Sequence, residues 1–129
     1  MKRLYIILLC TLAACMVASA QSSDKLYKEA KAQYAVGKCY KDGKGVDKDR
    51  TKAVGWFSKA AQQGNADAQY QLGKSYMKGK GVAADQKKAS SWLKKAVKNE
   101  KGGKDILAKI RKDVADGDED AKTMLRLVK

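Results

Sequence analysis

Shifted by thirty-six positions, this 129-residue chain lies on itself. Ala32-Gln33-Tyr34 meets Ala68-Gln69-Tyr70, Gly37-Lys38 meets Gly73-Lys74, and Tyr40 meets Tyr76. The run Gly43-Lys44-Gly45-Val46 returns as Gly79-Lys80-Gly81-Val82, and Asp49, Trp56 and Lys59-Ala60 return as Asp85, Trp92 and Lys95-Ala96. Sixteen of the thirty positions from 32 to 61 are identical in the second copy. A period of this length marks a stacked-repeat architecture, in which each unit needs a neighbour to cover its apolar face.

Each copy divides into two helical patterns around its glycines. In the later half, Ala53, Trp56, Phe57 and Ala60 fall at i, i+3, i+4 and i+7, as do Ala89, Trp92, Leu93 and Ala96, so each set is one stripe on one helix face. In the earlier half, Ala32, Ala35, Val36, Cys39 and Tyr40 form a similar stripe, echoed by Ala68, Leu72, Ser75 and Tyr76. Absence of proline suits uninterrupted helices. The spacing therefore predicts an all-α solenoid of antiparallel helix pairs, with both tryptophans in the core.

The repeated glycines have separate tasks. Gly43 and Gly79 end the first helix where a left-handed residue is wanted, and Gly45 and Gly81 permit a second unusual backbone angle. Val46 and Val82 are expected to turn back toward the helices, and Asp49 and Asp85 to cap the second helix. Gly37 and Gly73 lie inside the first helix, where glycine costs about 1 kcal/mol relative to alanine. Their recurrence predicts a close helix–helix approach beneath the tryptophan of the same repeat.

The period divides the chain into an extension of the first helix (21–31), two full repeats (32–67 and 68–103) and a carboxy-terminal capping pair (104–129). Gly64-Asn65-Ala66-Asp67-Ala68 joins the copies, and Gly117-Asp118-Glu119-Asp120-Ala121 repeats its design, with Asn65 and Asp118 as N-caps. Leu107, Ile110 and Val114 make one capping stripe; Ala121, Met124, Leu125 and Val128 make the other. Glu100 stands where the linker glycine is expected, and Lys101-Gly102-Gly103 is expected to loosen the join to the cap.

Residues 1–20 have the pattern of a secretory signal. Lys2 and Arg3 precede an apolar stretch from Leu4 to Val17, followed by the small residues Ala18-Ser19-Ala20. Leu12-Ala13-Ala14-Cys15 offers the alternative of a lipoprotein anchored through Cys15. Cleavage after Ala20 predicts a periplasmic or secreted chain. Losing Lys2 and Arg3 from 28 cations leaves 26 against 14 acids, a net +12, with Cys39 as the one remaining thiol.

The pattern A-x-x-x-[LV]-G-x-x-Y-x-x-G-x-G-V-x-x-D-x-x-K-A-x-x-W-x-x-K-A resembles the Sel-1-like repeat, a relative of the tetratricopeptide repeat. The resemblance covers both copies and implies an α/α superhelix used as a protein–protein interaction scaffold. It does not imply an activity, and the residues present offer nothing to activate a nucleophile, so no enzyme is expected. Its repeat-defining positions here are Gly37, Tyr40, Gly43, Gly45 and Trp56, then Gly73, Tyr76, Gly79, Gly81 and Trp92. A cysteine-rich secreted branch of the family bridges each helix pair with a disulfide and is associated with β-lactams. Cys39 has no partner of that kind, and that activity is not carried over.

In tetratricopeptide arrays the first helices line a concave groove. Aligning on Gly37/Tyr40 and Gly73/Tyr76, the resemblance implies a partner-binding face of Tyr34, Lys38, Lys41, Tyr70, Lys74, Met77 and Lys78. Such a face suits a protein partner with an acidic or extended segment; ordinary solvated surface is the alternative. Residues 68–103 hold nine cations against two acids, which supports a second reading as a binder of anionic lipid, glycan or acidic protein at the cell envelope. Nucleic acid is disfavoured behind an export signal, and self-association is left open. With no histidine and one mature cysteine, no Ser-His-Asp, Cys-His or zinc constellation can be assembled, and no cofactor or metal is expected. The alternating Asp116, Asp118 and Asp120 lack the glycine and distal glutamate of a calcium loop.

Overall fold

The computed structural model describes residues 25–129; the expected signal segment, its cleavage site and Cys15 lie outside the described residues. Six helices and no strand occur among the described residues. We label them α1 (helical over 25–42), α2 (Arg50–Gln62), α3 (Ala66–Lys78), α4 (Gln86–Lys98), α5 (Gly103–Ala115) and α6 (Glu119–Val128). The first four form the two repeat hairpins, and α5 and α6 close the carboxy-terminal end.

Helix starts follow from side chains that accept otherwise unpaired backbone N–H groups. Asp49 accepts from the Lys52 amide and Asp85 from the Lys88 amide, both at 3.0 Å. Asn65 and Asp118 do the same for Ala68 and Ala121, both at 2.8 Å. The hairpin bends are near copies of each other. Gly43 and Gly79 sit at φ 70° and 66°, in the left-handed region that side chains resist. Beyond them, the Asp49 and Asp85 amides donate at 2.9 Å to the carbonyls of Tyr40 and Tyr76.

Each hairpin closes through its mid-helix glycine. A Cβ on Gly73 would lie 2.7 Å from Cγ of Leu93, and one on Gly37 would lie 2.7 Å from the Phe57 ring. The close approach is therefore beneath the residue after each tryptophan, not the tryptophan itself. Phe57 and Leu93 are completely enclosed, whereas Trp56 and Trp92 are half-buried. Lys59 and Lys95 place their ammonium groups 4.7 and 4.6 Å from the two indole centroids. Position i+4 of the stripe faces the first helix squarely; position i+3 falls on its flank.

Neighbouring hairpins meet through small residues. Ala60 and Ala61 of α2 pack on Ala68 and Leu72 of α3, with Trp92 at the margin. A larger core of Tyr70, Met77, Leu93, Ile106, Ile110 and Met124 joins the second repeat to α5 and α6. The join before α5 is firm. Asn99 donates to the Gly64 carbonyl at 2.7 Å and to the Gln69 side chain at 3.2 Å, and Gly103 lies directly against the Val97 carbonyl. The glycines that suggested looseness in the sequence serve a close backbone approach.

The first repeat departs from the second on its outer side. Ala32 and Ala35 are exposed, and Val36 is 36% exposed where its counterpart Leu72 is 1% exposed. Val46 also remains exposed, so the valine of the first bend does not return to the helices. Among the described residues no hairpin ahead of α1 supplies it with the surface that α2 supplies to α3.

Two stability outcomes follow from these contacts. Gly73→Ala gains about 1 kcal/mol of helix propensity but overpacks against the branched carbon of Leu93, at a typical cost of about 1–3 kcal/mol. Its thermal midpoint should fall, and in a double-mutant cycle with Leu93→Ala the two losses should be less than additive; a raised midpoint contradicts the contact. Phe57→Ala should cost about 3–5 kcal/mol in urea unfolding, and Trp56→Ala distinctly less. The reverse order would mean that the indole carries the hairpin.

Candidate partner-binding groove

Helices α1 and α3 carry the face implied by the sequence, but its seven residues do not all reach solvent. Tyr34 is half-buried, with its ring 5.7 Å from that of Phe57 and the Lys38 ammonium 5.8 Å from its centroid. Burial first, then the Asp67 carboxylate, raises its phenol above the ordinary value. Lys38 and Lys78 are exposed, and Lys41 and Lys74 are half-buried.

Tyr70 and Met77 belong to the core instead, at 5% and 9% exposure. The cause is α5, which lies where a third repeat would place its first helix. Thirty-six residues beyond Tyr70 and Lys74 stand Ile106 and Ile110, both buried in the same cluster. The Tyr70 hydroxyl is enclosed without a hydrogen-bond partner among the described residues, and burial pushes its phenol upward despite the nearby Lys109. Lys74 keeps its ammonium 5.4 Å from the Tyr70 ring centroid.

Beside these residues the chain forms a recess of about 200 Å³ between the end of α1, the start of α2 and the middle of α3. Its rim holds Lys41, Lys48, Arg50, Lys74, Lys78 and Lys80 with the single acid Asp42, and its apolar wall is Ala53, Val54 and Phe57. The second bend supplies Lys80. Gly81 lies against the Arg50 carbonyl so closely that no side chain would fit, which brings this bend onto the first turn of α2. The equivalent Gly45 has nothing near it.

The cations on the rim repel one another. Burial, then Lys41, Lys109 and Lys78, lowers the Lys74 pKa below 10.5. Lys80, fully exposed, is lowered chiefly by Lys78 and Arg50. Lys78 is paired with Asp120 of α6, which is held below the usual carboxylate range by that hydrogen bond. No ion pair among the described residues engages the other five cations of the rim.

Sequence reasoning finds three of these cations, Lys41, Lys74 and Lys78, and misses Lys48, Arg50 and Lys80. The missed ones sit in or beside the bends, and the recurring lysine of the GKGV run is the one signal that pointed there. Asp118 is occupied as a helix cap and Asp120 by Lys78, so the alternating aspartates do not converge. Among the described residues no group of three or more His, Cys, Asp or Glu could hold a metal ion.

The charge at Lys74 gives a stability outcome with a definite sign. Its folded-state pKa is depressed, so the native chain binds fewer protons than the unfolded chain just below pH 10.5, and stability rises with pH through that window. Lys74→Met, which keeps the aliphatic stem, should raise the melting temperature at neutral pH, and the gain should shrink between about 20 and 500 mM salt as screening takes over. A lower melting temperature at both salt concentrations would show that the contact with Tyr70 outweighs the repulsion.

Residues 30–65 and 66–100 match the family model described as Sel1 repeat. The matched segments begin two residues ahead of the boundaries read from the internal period. A comparison with curated proteins returns no match. Among solved structures, a Sel1 repeat protein from Oxalobacter formigenes is 38% identical, with a TM-score of 0.55, over 78% of this chain and 24% of its own length. Cysteine rich protein B of Helicobacter pylori is 32% identical, with a TM-score of 0.54, over 55% of this chain and 53% of its own. The described part of this chain contains one cysteine, Cys39, half-buried and free.

Proposed function

This chain belongs to the Sel1 repeat family, and from that membership we propose that it is an adaptor that holds a protein partner along the face shared by α1 and α3. Sel1 repeat proteins are in general protein-interaction modules without enzymatic activity, built as helical solenoids. The finer reading is that the partner is captured outside the cytoplasm, after the amino-terminal Lys2-Arg3, Leu4 to Val17 and Ala18-Ser19-Ala20 pattern has directed export. It engages the partner through an acidic segment.

One observation carries this reading. Lys38 of α1 and Lys74 of α3 are the same position of the thirty-six-residue period, on first helices of adjacent hairpins. Lys41 and Lys78, which the period does not relate, lie about one turn further along each helix. Packed helices lie roughly 8–10 Å apart, so the cations form two rungs that an extended acidic segment can cross. Half-buried Tyr34 gives that segment a rigid aromatic edge at little entropic cost. Tyr70 supports the face from beneath and makes no contact with the partner.

Affinity capture from the envelope fraction tests this. Wild-type protein should retain a defined partner through a high-salt wash, and Tyr34→Ala combined with Lys38→Ala should lose most of it while its circular dichroism melt stays cooperative. Undiminished capture by the double variant would remove the α1 face from the reading. Complete release of every protein at about 500 mM salt would favour a purely electrostatic binder of polyanions.

A further inference from the structure

The six-cation recess shares Lys41, Lys74 and Lys78 with the lysine rungs and adds Lys48, Arg50, Lys80 and an apolar wall to them. Its volume of about 200 Å³ is small beside the roughly 300–1,000 Å³ of ordinary small-molecule sites. That is room for one side chain and not for a cofactor. Val54 is half-buried at its edge and Phe57 closes its depth, held in place by Gly37 behind the ring.

We propose that this recess is the seat for an acidic peptide segment of the partner, with carboxylates on the lysine rim and one apolar side chain against Val54 and Phe57. The assignment rests on the adaptor reading and names the chemistry of the partner. Charge complementarity selects an anion: Lys41, Lys48, Arg50, Lys74 and Lys80 form no ion pair among the described residues. Asp42 is the one acid in the lining, and Asp120, paired with Lys78, acts on Lys74 and Lys80 from nearby. Incoming carboxylates relieve the repulsion that the rim otherwise bears. The apolar wall then selects among anions. A sulfated glycan or a phosphate chain presents charge with no side chain to enter the recess, whereas a peptide presents both together. Five of the six cations are lysines, whose rotatable ammonium groups meet carboxylates at varied angles and impose no fixed fork geometry. The recess also needs both repeats, since Lys41 and Arg50 come from the first and Lys74 and Lys80 from the second. A single hairpin could not form it.

Fluorescence anisotropy with defined probes decides the matter. The first probe is a labelled seven-residue peptide of glutamates and glycines with one central leucine, and the second replaces that leucine with glycine. A heparin-derived oligosaccharide and vesicles of anionic phospholipid serve as competitors. The leucine peptide should bind at least about tenfold more tightly than the glycine peptide, as burial of one leucine side chain implies. Arg50→Glu combined with Lys80→Glu, two exposed positions, should weaken it by at least about tenfold at low salt, with an unchanged helical signal. Equal affinity for the two peptides, or binding indifferent to the charge reversal, overturns the assignment. So does an oligosaccharide or vesicle that outcompetes the leucine peptide and is itself lost on charge reversal. Partner capture that depends on Tyr34 and Lys38 but survives the Arg50 and Lys80 changes would retain the adaptor and reject the recess. Tight binding of the leucine peptide without any captured protein would do the opposite.

Discussion

Two helices can approach closely only where one of them has no side chain to hold them apart. Gly37 and Gly73 provide that point, and Phe57 and Leu93 fill it. The rest of the structure is arranged around this contact. It fixes the rotation of α2 against α1 and of α4 against α3, which sets the faces that remain for neighbouring hairpins. It also decides that the tryptophan, one residue earlier, lies at the flank of the pair. There Trp92 packs at the margin of the seam between hairpins, and each of the two tryptophans meets a lysine. A glycine inside a helix weakens that helix alone; here it permits the packing on which both helices depend.

Much of this architecture was legible from periodicity. The thirty-six-residue offset located the hairpins, and the bends announced themselves as glycine pairs followed by an aspartate cap. Less legible was which of two adjacent stripe residues lies inward. Trp56 and Phe57 are about a hundred degrees apart on the helix, and a stripe wide enough to include both does not rank them. The larger residue drew the core assignment, yet the smaller one faces the glycine. Tyr70 and Met77 were misplaced for another reason. The period was taken to end at 103, although Ile106 and Ile110 continue it and carry α5 across them. The recess was hidden because its residues come from a helix end, a bend and a helix start that no single spacing connects.

The basic character of the chain also divides into distinct parts once the fold is known. Lys59, Lys95 and Lys38 lie over aromatic rings, so part of the charge is engaged within the structure itself. Lys78 is satisfied by Asp120, which ties the second repeat to the last helix. What remains concentrated is the rim between the repeats. Net charge by itself speaks to encounter with anions in general; its gathering around Val54 and Phe57 is what gives it a shape to recognise.

Among the described residues the outer side of α1 is left uncovered, and this gives the solenoid a polarity. Ala32, Val36 and Gly45 offer there what Ala68, Leu72 and Gly81 offer one unit later, where the Ala60–Ala61 surface and the Arg50 backbone receive them. A duplicated hairpin introduced ahead of α1 would find its docking geometry already prepared, down to the vacant space beside Gly45. Each unit added there would create one more inter-repeat junction of its own.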